Sequence, residues 1–133
     1  MKAAVYDHVG GPEVFRYEEV AEPQLRKGGV LIDVAFIGIQ GGDLLHRQGG
    51  ALASTPHIVG YQCSGIIREV GDGVTQFVKG QPVVATMAYG SHAEVVSVAT
   101  ASVWALPDGV SLLHGAGVPI EFGTAHDCLF EFG

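Results

Sequence analysis

Apolar positions in this chain come in short runs with the two-residue period of strands, broken repeatedly by glycine and proline. Residues 3–6 read as a strand closed by Gly10, Gly11 and Pro12, and residues 15–20 alternate as a second, so the pair predicts an opening hairpin. After Pro23 and the Lys27-Gly28-Gly29 turn, residues 30–39 form a near-continuous apolar run rich in β-branched side chains, with Asp33 as its only charge, which predicts a central strand. It ends at Gly38 and Gly41-Gly42, where missing side chains let the chain bend or let another group come close. Residues 60–70 predict another strand, with Gly65 as a bulge or close-approach site, followed by a turn at Gly71-Asp72-Gly73. Further strands are expected at 81–86 and 93–98, and Pro107-Asp108-Gly109 closes the β-rich part. Ser111 is a candidate N-cap for a short helix ending before Pro119, and Ala125, Cys128, Leu129 and Phe132 share one face of a last helix that nothing obvious covers.

Composition narrows the classes. At 133 residues the chain fits one domain with a genuine core, and 20 glycines favour tight corners over long helices. Fourteen acidic against seven basic residues give a net charge of −7, which repels phosphate backbones and anionic lipid, so neither nucleic acid nor a membrane surface is an expected partner. Cys63 and Cys128 show no C-x-x-C spacing, which suits a reducing compartment rather than a zinc ribbon or disulfide scaffold. No leader has the order of a signal peptide and no apolar run reaches the roughly 18 residues of a membrane span. A cytoplasmic protein is the resulting expectation.

Candidate chemistry gathers in residues 36–50, FIGIQGGDLLHRQGG. Asp43, His46 and Arg47 can form a polar cluster beside a substrate carbonyl, but residues of this kind after a double glycine also suit a solvated loop or helix start. His46 has the free pKa of a proton shuttle, near 6.5, yet no histidine here has an evident partner. Tyr61 and Tyr89 can line an aromatic pocket for a flat ring, or simply pack. Cys63, a single thiol, is expected in the interior. Ser91, His92 and Asp127 do not make a hydrolase triad, because there is no G-x-S-x-G elbow and strand neighbours point to opposite faces.

The order of MKAAV, GPEVF, GIQGGDLLHR, GYQCSGIIREVGDGV, FVKGQPV, YGSHAEVVSV, ALPDGVSL and VPIEFGTAHDCLFEFG resembles the N-terminal, GroES-like catalytic domain of the medium-chain dehydrogenase/reductase superfamily. The zinc-free quinone oxidoreductases related to zeta-crystallin are the branch it resembles most. The resemblance implies a mainly β fold, a partly open GroES-like β-barrel with short helices, filling residues 1–133 as an incomplete domain. Its C-terminal helix would lead toward a Rossmann domain, with a later segment returning to complete the barrel. It also implies NADPH as cofactor and hydride transfer to a quinone, enone or similar conjugated carbonyl. Where zinc-dependent relatives carry cysteine, histidine and glutamate, this chain has Gln40, Tyr61 and Gln62, and carboxamides are poor zinc ligands, so no metal is expected.

In the zinc-free branch an asparagine commonly stands at the position of Gln40, an aspartate at Asp43, and a tyrosine at the position of Leu45. The resemblance thus makes Gln40 and Asp43 the catalytic candidates, and Gln40 and Thr124 those beside the nicotinamide. Tyr61, Tyr89 and Arg47 are the substrate-binding candidates. For Thr124, taken from a T-A-Y-x-x-L segment, the other reading is a helix N-cap. The only glycine clusters lack the G-x-G-x-x-G order that receives a pyrophosphate, so the isolated chain is expected to be incompetent in turnover. Exposed sheet edge and the apolar last helix favour a homo-oligomer. The alternative from another class is a non-catalytic β-barrel module that binds a partner or a small aromatic ligand.

Overall fold

The computed structural model describes all of residues 1–133, and strand pairing accounts for most of its architecture. Strand β1 (Lys2–Tyr6) pairs antiparallel with β2 (Arg16–Glu19) on one side and, beyond β3 (Gly29–Ile37) in sequence, with the short β4 (His57–Ile58) on the other. The longer sheet adds β5 (Gln62–Val70), β6 (Pro82–Thr86), β7 (Val95–Ala99) and β8 (Val103–Ala105) to β3, in the order β7-β3-β5-β6-β8, antiparallel throughout. A single bridge between Ala3 and Ala93 joins the two sheets, giving a mainly β, partly open barrel.

Inward-facing valines and isoleucines build the core in cross-strand pairs. Val30 lies opposite Val98 and Ile32 opposite Val96, while on the other side Cys63 faces Ala85, and Ala85 faces Val103. Two bulges curl the sheet around them: Arg68 is the extra residue on β5 between Leu31 and Ile32, and Ala35 the extra one on β3 between Val34 and Phe36. The second lies opposite Gly65. Gly65 is therefore a close-approach site whose partner strand carries the bulge. A Cβ there would run into the carbonyl oxygen of Asp33 and stand 2.7 Å from Ile32 Cγ2. A smaller cluster of Tyr6, Val14 and Val59, flanked by Phe15 and Leu52, sits under the first hairpin.

Three helical pieces decorate the barrel. Helix α1 (Gly41–Gly49) follows β3, where the sequence left open a loop or a helix start. It is not solvated in the expected way: Asp43 and Arg47 are 3% and 7% exposed, while Leu44 and Leu45 are 48% and 70% exposed. Helix α2 (Leu112–Gly115) begins at the predicted N-cap, with the Ser111 hydroxyl accepting from the His114 N–H at 3.2 Å. The C-terminal helix runs through wide, π-type turns at Val118–Phe122 and Asp127–Glu131 around one α turn, Gly123–His126. Wide turns spread the expected apolar stripe, and Phe122, Leu129, Phe130 and Phe132 all stand exposed. No helix is long and apolar enough to cross a membrane.

Overpacking at the β3–β5 contact gives a first prediction. Gly65→Ala lowers unfolding free energy by about 1–3 kcal/mol, read as a lower urea midpoint with an unchanged slope, whereas Gly73→Ala, with open space around it, stays milder in spite of its positive φ.

Candidate functional site

The polar residues of the barrel meet at the N-terminus of α1. Gln40 is its N-cap in extended conformation, and Asp43 turns back so that Oδ2 accepts the Gln40 backbone N–H at 2.7 Å. This fixes the corner by satisfying an N–H that the helix itself cannot. The Gln40 side chain is partly buried and its Nε2 has no hydrogen-bond partner. Tyr61 lies against the same turn, its Cε2 3.0 Å from where a Cβ on Gly42 would stand. Gln40, Asp43 and Tyr61 are thus brought together at one turn.

His92 joins them, which the sequence did not reveal. Its backbone N–H donates to Val59 O at 3.0 Å and its carbonyl accepts from Ala4 N–H at 2.9 Å, so β1 and the segment after β4 pin it. Gly60, at φ +115, lets that crossing close, since a Cβ would stand 2.6 Å from His92 Cδ2. His92 Nε2 then lies 3.8 Å from Asp43 Oδ2, with the two side chains 9% and 4% exposed. Both Asp43 Oδ1 and His92 Nε2 are buried without a partner. Burial pushes the His92 pKa down, with Asp43 opposing.

Below this lies a ring cluster. The Tyr6 hydroxyl and His46 Nδ1 are 2.8 Å apart, and the His46 ring stacks on His57 at 4.6 Å and 13°. His57 is fully buried; its Nδ1 accepts from Ala53 N–H at 3.2 Å, its Nε2 has no partner, and Tyr89 tilts over it at 5.6 Å. Burial chiefly, and then the His46 charge, pull the His57 pKa down. Burial raises that of Tyr6, helped by Tyr61 and Asp43 and opposed by Arg47.

The other candidates are placed apart. Arg47 donates from Nε to Gly10 O at 3.2 Å and stacks its guanidinium 5.7 Å over Phe15, which ties α1 to the first loop. Tyr89 lines a second cavity with Met87 and Val95, away from Gln40. Thr124 is exposed inside the C-terminal helix and caps nothing; the N-cap of its turn is Phe122. Cys63 is packed in the core as expected, and burial pushes its thiol up to about 12, so it is no nucleophile. Gln62 is also fully buried: Nε2 donates to Glu121 Oε2 at 2.6 Å, and Oε1 accepts from Ile120 N–H at 3.0 Å. No three His, Cys, Asp or Glu side chains are grouped to hold a metal ion.

With this geometry in view, residues 26–108 match the model of the alcohol dehydrogenase GroES-like domain. The chain is 35% identical over 98% of its length to a mouse (Mus musculus) synaptic vesicle membrane protein VAT-1 homolog-like, covering 32% of that relative. It is 29% identical over 97% of its length to an NADPH-dependent alkenal/one oxidoreductase, chloroplastic, of Arabidopsis thaliana, covering 37% of it. Its fold superposes with a TM-score of 0.91 on the crystal structure of Escherichia coli quinone oxidoreductase complexed with NADPH, at 25% identity over 99% of this chain and 41% of that one. The chain spans about a third of the length of the curated relatives it matches.

Two depressed histidines make stability acid-sensitive. Each is held neutral in the fold, while the unfolded imidazole titrates near 6.5, so their contribution is complete above that pH and is lost as pH falls through the lower folded values. Thermal melts should show Tm falling between about pH 7 and pH 5.5, and His57→Phe should flatten that fall.

Proposed function

We propose, on the premise that this chain belongs to the alcohol dehydrogenase GroES-like domain family of the medium-chain dehydrogenase/reductase superfamily, that residues 1–133 form the acceptor side of an NADPH-dependent, zinc-independent oxidoreductase acting on a quinone, enone or similar conjugated carbonyl. One observation carries this reading: the Gln40 carboxamide has a buried N–H donor with nothing in the protein to accept it. An orphaned donor of this kind costs roughly 1–3 kcal/mol when left unmet, and an oxygen that gains negative charge is its natural complement. The nicotinamide carboxamide or the acceptor carbonyl supplies such an oxygen, so the residues present fit the reactive end of the cofactor. Its diphosphate has no counterpart here, because none of the glycine clusters opens a βαβ unit in this antiparallel topology.

The dinucleotide, when bound, supplies the hydride. The chain's own residues supply position and field. Asp43 acts through Gln40, holding the N-cap backbone so that the carboxamide is presented from a fixed corner. Tyr61, packed on Gly42, limits the room beside it and offers a ring face for a flat acceptor. Arg47, tied to Gly10, and Tyr89, in its own cavity, stand off from the reacting atoms, and Thr124 lies on the C-terminal helix. Glutamine in place of a thiolate removes a metal ligand and leaves hydrogen bonding as the means of polarising the acceptor. Self-association through the exposed Phe122, Leu129, Phe130 and Phe132, and a cytoplasmic setting for the two free thiols, belong to the same reading.

The 133-residue chain is expected to give no saturable quenching of NADPH fluorescence up to about 1 mM, a weak-binding limit of about −4 kcal/mol, and no NADPH oxidation with 9,10-phenanthrenequinone. Saturable binding with turnover would overturn the claim that a further unit is needed. In any longer product of the gene that does oxidise NADPH with this quinone, Gln40→Leu lowers kcat by about 10²-fold. An unchanged kcat would remove Gln40 from the reaction. Light scattering after size exclusion should report more than one copy per particle at micromolar concentrations.

A further inference from the structure

No side chain from Val118 to Gly133 is buried, and Phe122, Leu129, Phe130 and Phe132 all face out. A helix in a protein is ordinarily held by packing one apolar face, and this one has little of that hold. Its hydrogen bonds to the strands are two, and both are made by Gln62: Nε2 donates to Glu121 Oε2 at 2.6 Å, and Oε1 accepts from the Ile120 N–H at 3.0 Å. The second bond meets a need of the backbone. Ile120 lies in the first turn of the helix, behind Pro119, where an N–H has no acceptor within the helix itself.

Gln62 is fully buried, and its carboxamide reaches the helix through a slot. A Cβ on Gly38 would run into Gln62 Nε2 and would stand 2.7 Å from the Ala116 carbonyl oxygen, so the amide passes between the end of β3 and the turn after α2. Two residues beyond Gly38 the chain reaches Gln40. One side chain thus touches the strand end that leads to the polar corner and the first turn of the helix that bears Thr124. Only an amide offers a donor to the carboxylate and an acceptor to the N–H from the same group, and the bond to the carboxylate is of the stronger, charge-assisted kind.

We infer that Gln62 is a positioning residue for the C-terminal helix, its carboxamide holding the first turn against the end of β3 and so setting Thr124 at a fixed place relative to Gln40. The consequence for NADPH rests on the reading above; the clamp does not.

Amide hydrogen exchange on the 133-residue chain tests the clamp. Glu121→Leu, at an exposed position, takes away the acceptor of Gln62, and the amides of Ile120 and Asp127 are expected to exchange at least about tenfold faster. The amides of Val34 and Ile67, bonded to Glu94 O and Gln81 O in the barrel, stay within about twofold. Glu121→Gln keeps an acceptor and stays within about threefold of the unaltered chain throughout. Gln62→Glu sets two carboxylates together and speeds the same two helix amides, and adding Glu121→Gln restores a donor opposite the acid and slows them again. Unchanged exchange at Ile120 and Asp127 in Glu121→Leu, equal acceleration at all four amides, or no recovery in the double variant would each overturn the clamp. Should Gln62→Glu fail to fold, the two Glu121 variants decide alone. In a longer product of the gene that oxidises NADPH, Glu121→Leu raises KM for NADPH about fivefold or more while Glu121→Gln does not. An unchanged KM beside faster helix exchange would overturn the step from the clamp to Thr124, and a product without NADPH oxidation would defeat the reading above while the exchange data still decide the clamp.

Discussion

The register between β3 and β5 is the constraint on which the rest depends. Two bulges reverse the side-chain parity of this ladder. On β3 the inward residues are Val30, Ile32 and Val34 before the extra Ala35 and then Ile37 after it, which leaves Phe36 facing out. On β5 the inward series of Cys63, Gly65 and Ile67 passes the extra Arg68 and resumes at Val70. A slip of one residue would turn every one of these side chains over, and the loss would reach beyond the core. β3 delivers the chain to Gln40 and Asp43, and β5 starts immediately after Tyr61, so this one pairing sets the distance between the two halves of the polar corner. Arg68 uses its place at the bulge to reach Asp33 and Glu22, the latter at 2.8 Å. At that exposure the ion pairs contribute little to stability; the geometry of the turn is what they report.

Around the corner the protein buries more polar chemistry than it pairs. Asp43, Arg47, His57 and Gln62 are all buried, yet only some of their atoms have partners. Arg47 illustrates how a buried cation is accommodated without a carboxylate: its fork meets a backbone carbonyl and its plane meets Phe15. The histidines solve the problem differently, by losing charge. A stack of two imidazoles is stable only while at least one is neutral, and burial guarantees that for His57. Of the other buried atoms without a partner, those on Gln40, Asp43 and His92 gather near the N-terminus of α1, with Ser91 Oγ next to His92 in sequence, while Ser97 Oγ lies apart on β7. Unsatisfied groups that cluster in this way are where a structure departs from local optimality in favour of binding.

How much of this was legible beforehand follows from the range of each signal. Strands of five or more residues announced themselves through β-branched alternation, and the order of motifs pointed to the GroES-like barrel. β4 and β8 did not, being two and three residues long and defined by their partners. Helix α1 was obscured for a more specific reason: its pattern is inverted. The usual amphipathic helix turns leucines inward, whereas here Asp43 and Arg47 are inside and Leu45 outside, with glycines at both ends weakening any propensity signal. Gln40, Asp43 and Tyr61 were each singled out in the sequence, although nothing there brought the three to one turn. His92 and the His46–His57 stack were not, because their partners arrive through strand crossings and no local spacing encodes a contact between residues so far apart in the chain.

Gln62 shows how a change of chemistry at one position reorganises its surroundings. The resemblance to zinc-dependent enzymes implies a glutamate at this place; here the carboxamide holds Glu121 with its donor and the Ile120 N–H with its acceptor. A carboxylate at residue 62 would still take the Ile120 N–H but would set a buried anion against the exposed Glu121 carboxylate, where like charges repel. The amide is the one side chain of this shape that can do both jobs. With an amide at this position the side chain becomes a clamp on the C-terminal helix. The helix that bears Thr124 is thus oriented from inside the barrel by the same stretch of β5 that borders the polar corner, and the position of one follows from the fold of the other.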